Sequence, residues 1–123
     1  MSVSQSFRTF ILEQLGRDIR GIRAQNMFGG VGIYSGEFFF ALIDDDILYF
    51  KVDESNRPDF VARGMGPFQP YGEDGETMQY YRVPDDLLED PEVLGQWAQK
   101  AIAAARRART KPKRRRGKTD GSR

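Results

Sequence analysis

The chain has 123 residues, no cysteine, no histidine and a formal net charge of +1. The missing cysteines exclude disulfides and thiolate chemistry and fit a reducing cytoplasm, and the missing histidines exclude Ser-His-Asp triads and imidazole-ligated metals. The longest apolar run, residues 38–43, is far shorter than the ~20 residues that span a bilayer. We therefore expect a cytoplasmic protein that does not associate with membranes.

The small net charge conceals two oppositely charged segments. Residues 1–105 contain 9 Lys and Arg against 17 Asp and Glu, a net of −8, whereas residues 106–123 contain 10 against 1, a net of +9. Residues 106–123 also lack large apolar side chains, so burial cannot compensate the entropy of ordering them. The sequence predicts one domain over residues 1–105 and a disordered basic tail over residues 106–123.

The N-terminal half predicts one helix followed by three or four strands. Apolar residues recur at helical spacing over residues 4–15, and Ser4 or Ser6 can cap that helix. Segments that alternate loosely, or that are rich in branched and aromatic residues, predict strands. These segments are residues 22–28, two strands within 30–44 that meet at Ser35-Gly36, and 47–52.

The C-terminal half predicts a short helix, a second hairpin and a long helix. Ser55 or Asn56 can cap a helix that ends at Gly64, and the hairpin is expected in residues 67–84 around the loop 72–76. The long helix begins with Asp90 as cap and Pro91 in its first turn, and an apolar stripe continues to Ala105. Hairpin-linked strands with helices between them predict an α+β domain with an antiparallel sheet of about five strands, in the order α-β(3–4)-α-β2-α.

The glycines near residue 30 raise the question of a phosphate-binding loop. Gly30, Gly32 and Gly36 have the spacing G-x-G-x-x-x-G, one residue longer than the dinucleotide fingerprint, and a strand follows them instead of a helix. Without a helix N-terminus, the site lacks the free backbone N–H groups and the positive end of a helix dipole that stabilise a bound phosphate. We interpret these glycines as positions where the backbone bends or two strands approach closely.

A wider set of residues resembles the N-terminal domain of the TfoX/Sxy family, regulators of natural competence, between Phe7 and Ala105. The matching positions are Met27, Phe28, Gly29, Gly30, Gly32, Tyr34, Leu48, Tyr49, Lys51, Phe60, Gly64, Met65, Tyr80, Tyr81, Pro84 and Trp97. The resemblance implies a compact α+β domain with a regulatory role, for which no catalytic residues are recognised. Full-length family members carry a second, C-terminal domain, and this sequence has the basic tail in its place.

The acidic and aromatic clusters favour structural roles. Asp44–Asp46 is interpreted as a solvated turn rather than a cation site, and the carboxylates at Asp85-Asp86 and Glu89-Asp90 as helix starts rather than acid–base pairs. Residues 38–43 are apolar on both faces of their strand, which favours core packing within the domain over burial by a partner or second copy. No catalytic residue, metal site or cofactor is predicted.

Two hypotheses about binding follow. The first is a non-enzymatic regulatory or adaptor protein that binds a protein partner, which includes the alternative of a second copy in a homodimer. Its basic tail is expected to bind DNA or RNA without sequence preference. The second is a small-ligand-binding protein or enzyme with an anion pocket near Arg23 and Lys51, on neighbouring strands, with Tyr34 or Tyr49 beside them. The predicted nucleic-acid-binding residues are Arg106, Arg107, Arg109, Lys111, Lys113, Arg114, Arg115, Arg116 and Lys118. The alternatives for this tail are association with the acidic domain, binding to an anionic membrane surface, and a role as a solubilising terminus.

Overall fold

The computed structural model describes residues 3–27, 29–69 and 79–110, apart from the side chain of Thr110. Within these residues, the helices pack on one five-stranded antiparallel sheet and form an α+β domain, which confirms the predicted fold class. The elements are α1 (Gln5–Gly16), β1 (Ile22–Met27), β2 (Gly30–Ser35), β3 (Phe38–Asp44), β4 (Ile47–Lys51), α2 (Arg57–Ala62), β5 (Tyr80–Arg82), a 3-10 helix (Asp85–Glu89) and α3 (Pro91–Thr110).

The five strands lie in the sheet in chain order, β1-β2-β3-β4-β5, and every neighbouring pair is antiparallel. One face of the sheet packs against α1 and α3 and holds the core. The apolar residues buried there include Ile11 and Leu15 from α1, Ile33, Phe40 and Phe50 from the sheet, and Leu94, Ala98 and Ala101 from α3. We call the opposite side the outer face.

A β-bulge explains why residues 38–43 are apolar on both faces. Ile33 pairs with Ala41 but Tyr34 pairs with Phe39, so Phe40 is left without a partner in the register. Phe40 and Ala41 both join the core, and Phe40 packs 5.9 Å from Phe50 between ring centroids. Phe39 lies on the outer face, so this strand is covered largely by its own domain.

The predicted helix ends and turns are largely observed. The Ser4 Oγ accepts a hydrogen bond from the Phe7 N–H at 3.2 Å, and the Asp90 Oδ1 accepts one from the Val93 N–H at 3.3 Å. Asp45 and Asp46 both have positive φ, 54° and 57°, as a two-residue hairpin turn demands. Asp45 and Asp46 are therefore the turn that follows Asp44, the last residue of β3, and the described residues contain no group of three acidic side chains able to hold a metal.

The glycines also have the backbone role that their spacing indicated. A Cβ at Gly30 would lie 2.5 Å from the Ile43 carbonyl oxygen of the neighbouring strand. A Cβ at Gly32 would lie 2.6 Å from Cε of Met27, whose side chain crosses the outer face at this point. At both positions another group approaches so closely that only glycine leaves enough room. Neither glycine precedes a helix.

Two expectations need correction. The Asn56 side chain does not cap α2; its Oδ1 accepts from the Asp53 N–H at 2.8 Å and its Nδ2 donates to the Lys51 carbonyl at 3.0 Å. The first arm of the second hairpin is an isolated bridge between Pro67 and Tyr81 within the described residues, flanked by hydrogen bonds from the Phe68 N–H to the Tyr80 carbonyl and from the Arg82 N–H to the Gly66 carbonyl; residues 70–78 lie outside them. The 3-10 helix begins at Asp85, where the acidic pair Asp85-Asp86 was expected to start a helix.

No helix in the described part of the chain is long and apolar enough to cross a membrane.

Candidate functional site

The last turn of α3 carries the first arginines of the basic tail, and it packs against the domain. Arg107 Nε donates to Asp53 Oδ2 at 2.7 Å, and its Nη2 donates to the Ser55 Oγ at 2.6 Å. The hydrogen bond from Arg107 holds the pKa of Asp53 well below its usual range, because it stabilises the ionised carboxylate. The end of α3 is thereby attached to the loop that follows β4.

A second contact joins the same turn to the β2–β3 hairpin. The guanidinium groups of Arg106 and Arg109 lie 5.2 and 5.7 Å from the ring centroid of Phe38. Arg109 Nη1 also lies 3.4 Å from Glu37 Oε1. These contacts, together with the helix propensity of alanine and arginine, explain why the helix continues to Thr110.

Residues 106–110 continue α3 for about one helical turn into the segment that the sequence assigned to the tail. Of the predicted nucleic-acid-binding residues, Arg106, Arg107 and Arg109 lie in this helix and contact the domain. The others lie outside the described residues: Lys111, Lys113, Arg114, Arg115, Arg116 and Lys118.

The proposed pair of Arg23 and Lys51 is not on neighbouring strands. Arg23 belongs to β1 and Lys51 to β4, with β2 and β3 between them. At about 4.8 Å per strand, their backbones are roughly 14 Å apart. The rings of Tyr34, Phe39 and Tyr80 lie between the two side chains, so the interpretation of Arg23 and Lys51 as one pocket on neighbouring strands is wrong.

Arg23 and Lys51 are instead the two ends of a row of aromatic rings on the outer face. Arg23 lies 4.2 Å above the ring of Tyr34, Tyr34 stacks on Phe39 at 5.1 Å, Phe39 lies 5.4 Å from Tyr80, and the Lys51 Nζ lies 5.4 Å from the Tyr80 ring. The Tyr80 Oη donates to the Phe39 carbonyl at 3.4 Å, and burial raises the pKa of Tyr80 well above its usual value. Each ring of the row packs against the next ring or against the cation at its end, so we interpret the row as side-chain packing on the outer face.

The family-motif residues fall into two groups. Met27, Gly30, Gly32 and Tyr34 lie on β1 and β2, where Met27 covers Gly32 and Tyr34 belongs to the aromatic row. Gly29 follows β1 with a φ of 82°, and Phe28 lies outside the described residues. Trp97 lies on α3 and packs edge-on against Phe60 at 4.8 Å, beside the core.

Sequence reasoning missed the acceptors of the tail arginines. Asp53 and Ser55 lie 54 and 52 positions before Arg107, and no local pattern links such distant residues. Phe38 was interpreted as core; it packs partly against the core and also under two guanidinium groups. The excess of carboxylates in residues 1–105 was the one sequence feature that pointed to such contacts.

The described carboxylates are used for structure. Asp86 lies 2.6 Å from Arg63, whose hydrogen bond lowers the pKa of Asp86, and Asp59 lies 3.0 Å from Lys100. Asp85 lies 3.4 Å from Arg82. These are contacts between exposed side chains at helix starts, in line with the structural interpretation of the acidic pairs.

The family model described as the TfoX N-terminal domain matches residues 13–105, which is more than half of the chain. A comparison with curated proteins found no significant match. The match includes every strand, α2 and most of α3, the same elements that carry the motif residues. The chain therefore belongs to the TfoX N-terminal domain family.

Proposed function

We propose that this protein is a non-enzymatic regulatory adaptor of the cytoplasm. Its globular domain binds a protein partner, and its basic tail binds nucleic acid without sequence preference. The observation that carries the proposal is the separation of charge: ten Lys and Arg with one Asp in residues 106–123, next to an acidic domain. Membership of a family of regulators supports the regulatory part.

The composition of the basic tail fits a phosphate backbone. Lysine and arginine bind phosphates largely by releasing condensed counterions, a contribution that is indifferent to base sequence. No aromatic residue is interleaved in residues 106–123 that would stack on unpaired bases. The tail therefore suits duplex nucleic acid as well as single strands, and its affinity should fall steeply with salt.

Three arginines of the proposed tail lie in the described part of the chain. Arg106, Arg107 and Arg109 fix the end of α3 on the domain through Phe38, Asp53 and Glu37. Because residues 1–105 are acidic, they repel a phosphate backbone, so the tail and not the domain surface is the region that attracts nucleic acid.

A non-enzymatic role is supported by the chemistry of the side chains. The sequence lacks histidine and cysteine, the groups most often used for proton transfer and nucleophilic attack near neutral pH. The lowered pKa values of Asp53 and Asp86 have their causes in hydrogen bonds from Arg107 and Arg63. These carboxylates stabilise contacts between exposed side chains.

A truncation after Thr110 tests the nucleic-acid part of the proposal. It keeps α3 complete and retains the Arg107 contact with Asp53, whereas a truncation after Ala105 would remove both. Fluorescence anisotropy with a labelled 20-base-pair duplex should show binding by the full chain at about 0.1 M salt and little binding by the truncated chain. The thermal unfolding midpoint should be unchanged. Equal duplex binding by the truncated chain would contradict the proposal.

A further inference from the structure

The two edge strands of the sheet differ in how they are protected. β5 has three residues, and its free side is covered by the bridge between Pro67 and Tyr81, where the proline offers no N–H to a further strand. β1, at the opposite edge, has six residues, pairs with β2 in an uninterrupted register and contains no proline or lysine. Natural sheets use prolines, lysines and bulges to prevent an edge from pairing with another chain. β1 is therefore the unprotected edge.

The backbone groups at the free edge of β1 belong to alternate residues. The Gly36 N–H donates to the Gly21 carbonyl at 2.9 Å, and these glycines lie opposite each other, one position before the first pair of the β1–β2 register. Because hydrogen-bonded pairs alternate along an antiparallel ladder, the odd-numbered residues of β1 bond to β2. The N–H and C=O groups of Ile22, Ala24 and Asn26 therefore point to the free edge, and they form no hydrogen bond within the described part of the chain.

This edge is complementary to itself. When two copies of β1 lie antiparallel with their Ala24 residues opposite each other, Ile22 of each copy lies opposite Asn26 of the other. Every residue with free backbone groups then faces another such residue, and each pair can exchange two N–H···O=C hydrogen bonds. Ile22 and Ala24, which pack against the core, stay on the core face, whereas a shift by one residue would move them to the outer face.

The side chains of β1 do not oppose this pairing. Arg23 is the one charged residue of the strand, and the register places it opposite the neutral Gln25 of the second copy. Its guanidinium is turned toward β2 and away from the free edge, since its Nε donates to the Gly36 carbonyl at 3.1 Å and the group lies over the Tyr34 ring. No like charges meet along the paired strands.

We propose that β1 is a homodimer interface, at which two copies of this chain pair antiparallel around a two-fold axis at Ala24. The interface is isologous, because both copies use the same edge. It joins two five-stranded sheets into one continuous sheet with the helices of both copies on one side. Contacts along one pair of strands are few, so the dimer is expected to be weak. This inference goes beyond the proposed function and does not depend on nucleic-acid binding by the tail.

The test is sedimentation velocity of the full chain, without nucleic acid, from about 10 μM to about 1 mM, the range of a weak interface. A monomer–dimer equilibrium is expected. Amide hydrogen exchange followed by NMR over the same range should slow at Ile22, Ala24 and Asn26, whereas the amides of Arg23 and Gln25 already bond to β2 and should change little. A chain that stays monomeric at the highest concentration, or a dimer that leaves the three free amides exchanging as in the monomer, would overturn the proposal.

Substitutions of the exposed Gln25 test the register. Gln25→Glu places a carboxylate opposite Arg23 of the second copy and should tighten the dimer about fivefold, and Gln25→Lys places a cation there and should weaken it about fivefold, since each dimer contains this pair twice. Gln99→Glu and Gln99→Lys are the matched controls, because Gln99 is exposed on α3 and lies outside β1. Equal changes in dimer affinity at both positions would assign the effect to net charge and overturn the proposed register.

Discussion

Residues 1–105 and residues 106–110, the described part of the basic tail, differ both in charge and in what fixes their structure. The first segment is ordered by burial: Ile11, Phe40 and Leu94 are completely buried between sheet and helices. In residues 106–110 the contacts are made by guanidinium groups on Asp53, Glu37 and Phe38, at the surface of the domain. Apolar burial therefore determines the fold of residues 1–105, whereas contacts of the arginine side chains attach residues 106–110 to the surface of the domain.

The largest expected effect comes from the core of the first segment. Phe60 is 1% exposed and contacts Trp97 at 4.8 Å and Tyr81 at 6.0 Å. Phe60→Ala should lower the free energy of unfolding by about 3–5 kcal/mol, through lost burial and the cavity that remains. Urea denaturation followed by circular dichroism measures this change. The affinity of the tail for duplex should stay within about twofold of the unmodified chain where the variant is still folded. A loss of duplex affinity in parallel with the loss of stability would contradict the separation of the two regions.

The next effect concerns a buried polar side chain. Asn56 is 1% exposed and bridges the Asp53 N–H and the Lys51 carbonyl. Asn56→Ala should cost about 1–3 kcal/mol because it leaves a donor and an acceptor unsatisfied. Asn26→Ala is the matched control, since Asn26 is exposed and accepts from Arg8 at the surface. Equal destabilisation by both variants would contradict this account of the β4–α2 loop.

A smaller effect is expected where the two segments meet. Asp53→Asn replaces the charged acceptor of Arg107 and should lower stability by about 1 kcal/mol or less, as for other surface ion pairs. It also removes one carboxylate that competes with phosphate, so affinity for duplex DNA should rise about twofold. Asp18→Asn is a control with the same change in net charge and no recorded contact with Arg107. An identical rise in the control would show that net charge alone is responsible.

The pH dependence of the same contact has a defined sign. Because the folded-state pKa of Asp53 is lowered, its contribution to stability is complete above the unfolded value near 4 and is lost as the pH falls below it. The difference in unfolding free energy between the unmodified chain and Asp53→Asn should therefore narrow below about pH 4. Denaturation at pH 3 and pH 7 measures it. A difference that grows on acidification would contradict the assignment of the contact.

Local sequence patterns predicted the elements well because their causes are local. Asp90 and Pro91 marked the start of α3, and Asp44–Asp46 marked a hairpin turn whose two central residues have positive φ. The aliphatic stripe of α3 predicted the helix face that is buried, including Leu94 and Ala98. Each of these features depends on residues within a few positions of one another.

Features that depend on distant residues were not predicted. The order of the strands in the sheet decides that Arg23 and Lys51 are far apart, and spacing along the chain does not contain that order. The β-bulge that places Phe40 and Ala41 together in the core arises from pairing with β2. The end of α3 likewise depends on Asp53 and Glu37, which belong to other loops.

The central claim is that the basic tail, and not the acidic domain, binds nucleic acid. The most direct test compares the full chain with a variant in which Lys111, Lys113, Arg114, Arg115, Arg116 and Lys118 are all replaced by Gln, using duplex anisotropy across a salt series. The account predicts that the slope of log K against log salt becomes shallower by up to roughly five, with an unchanged unfolding midpoint. An equally steep slope in the variant would contradict the claim and assign the phosphate contacts to the domain.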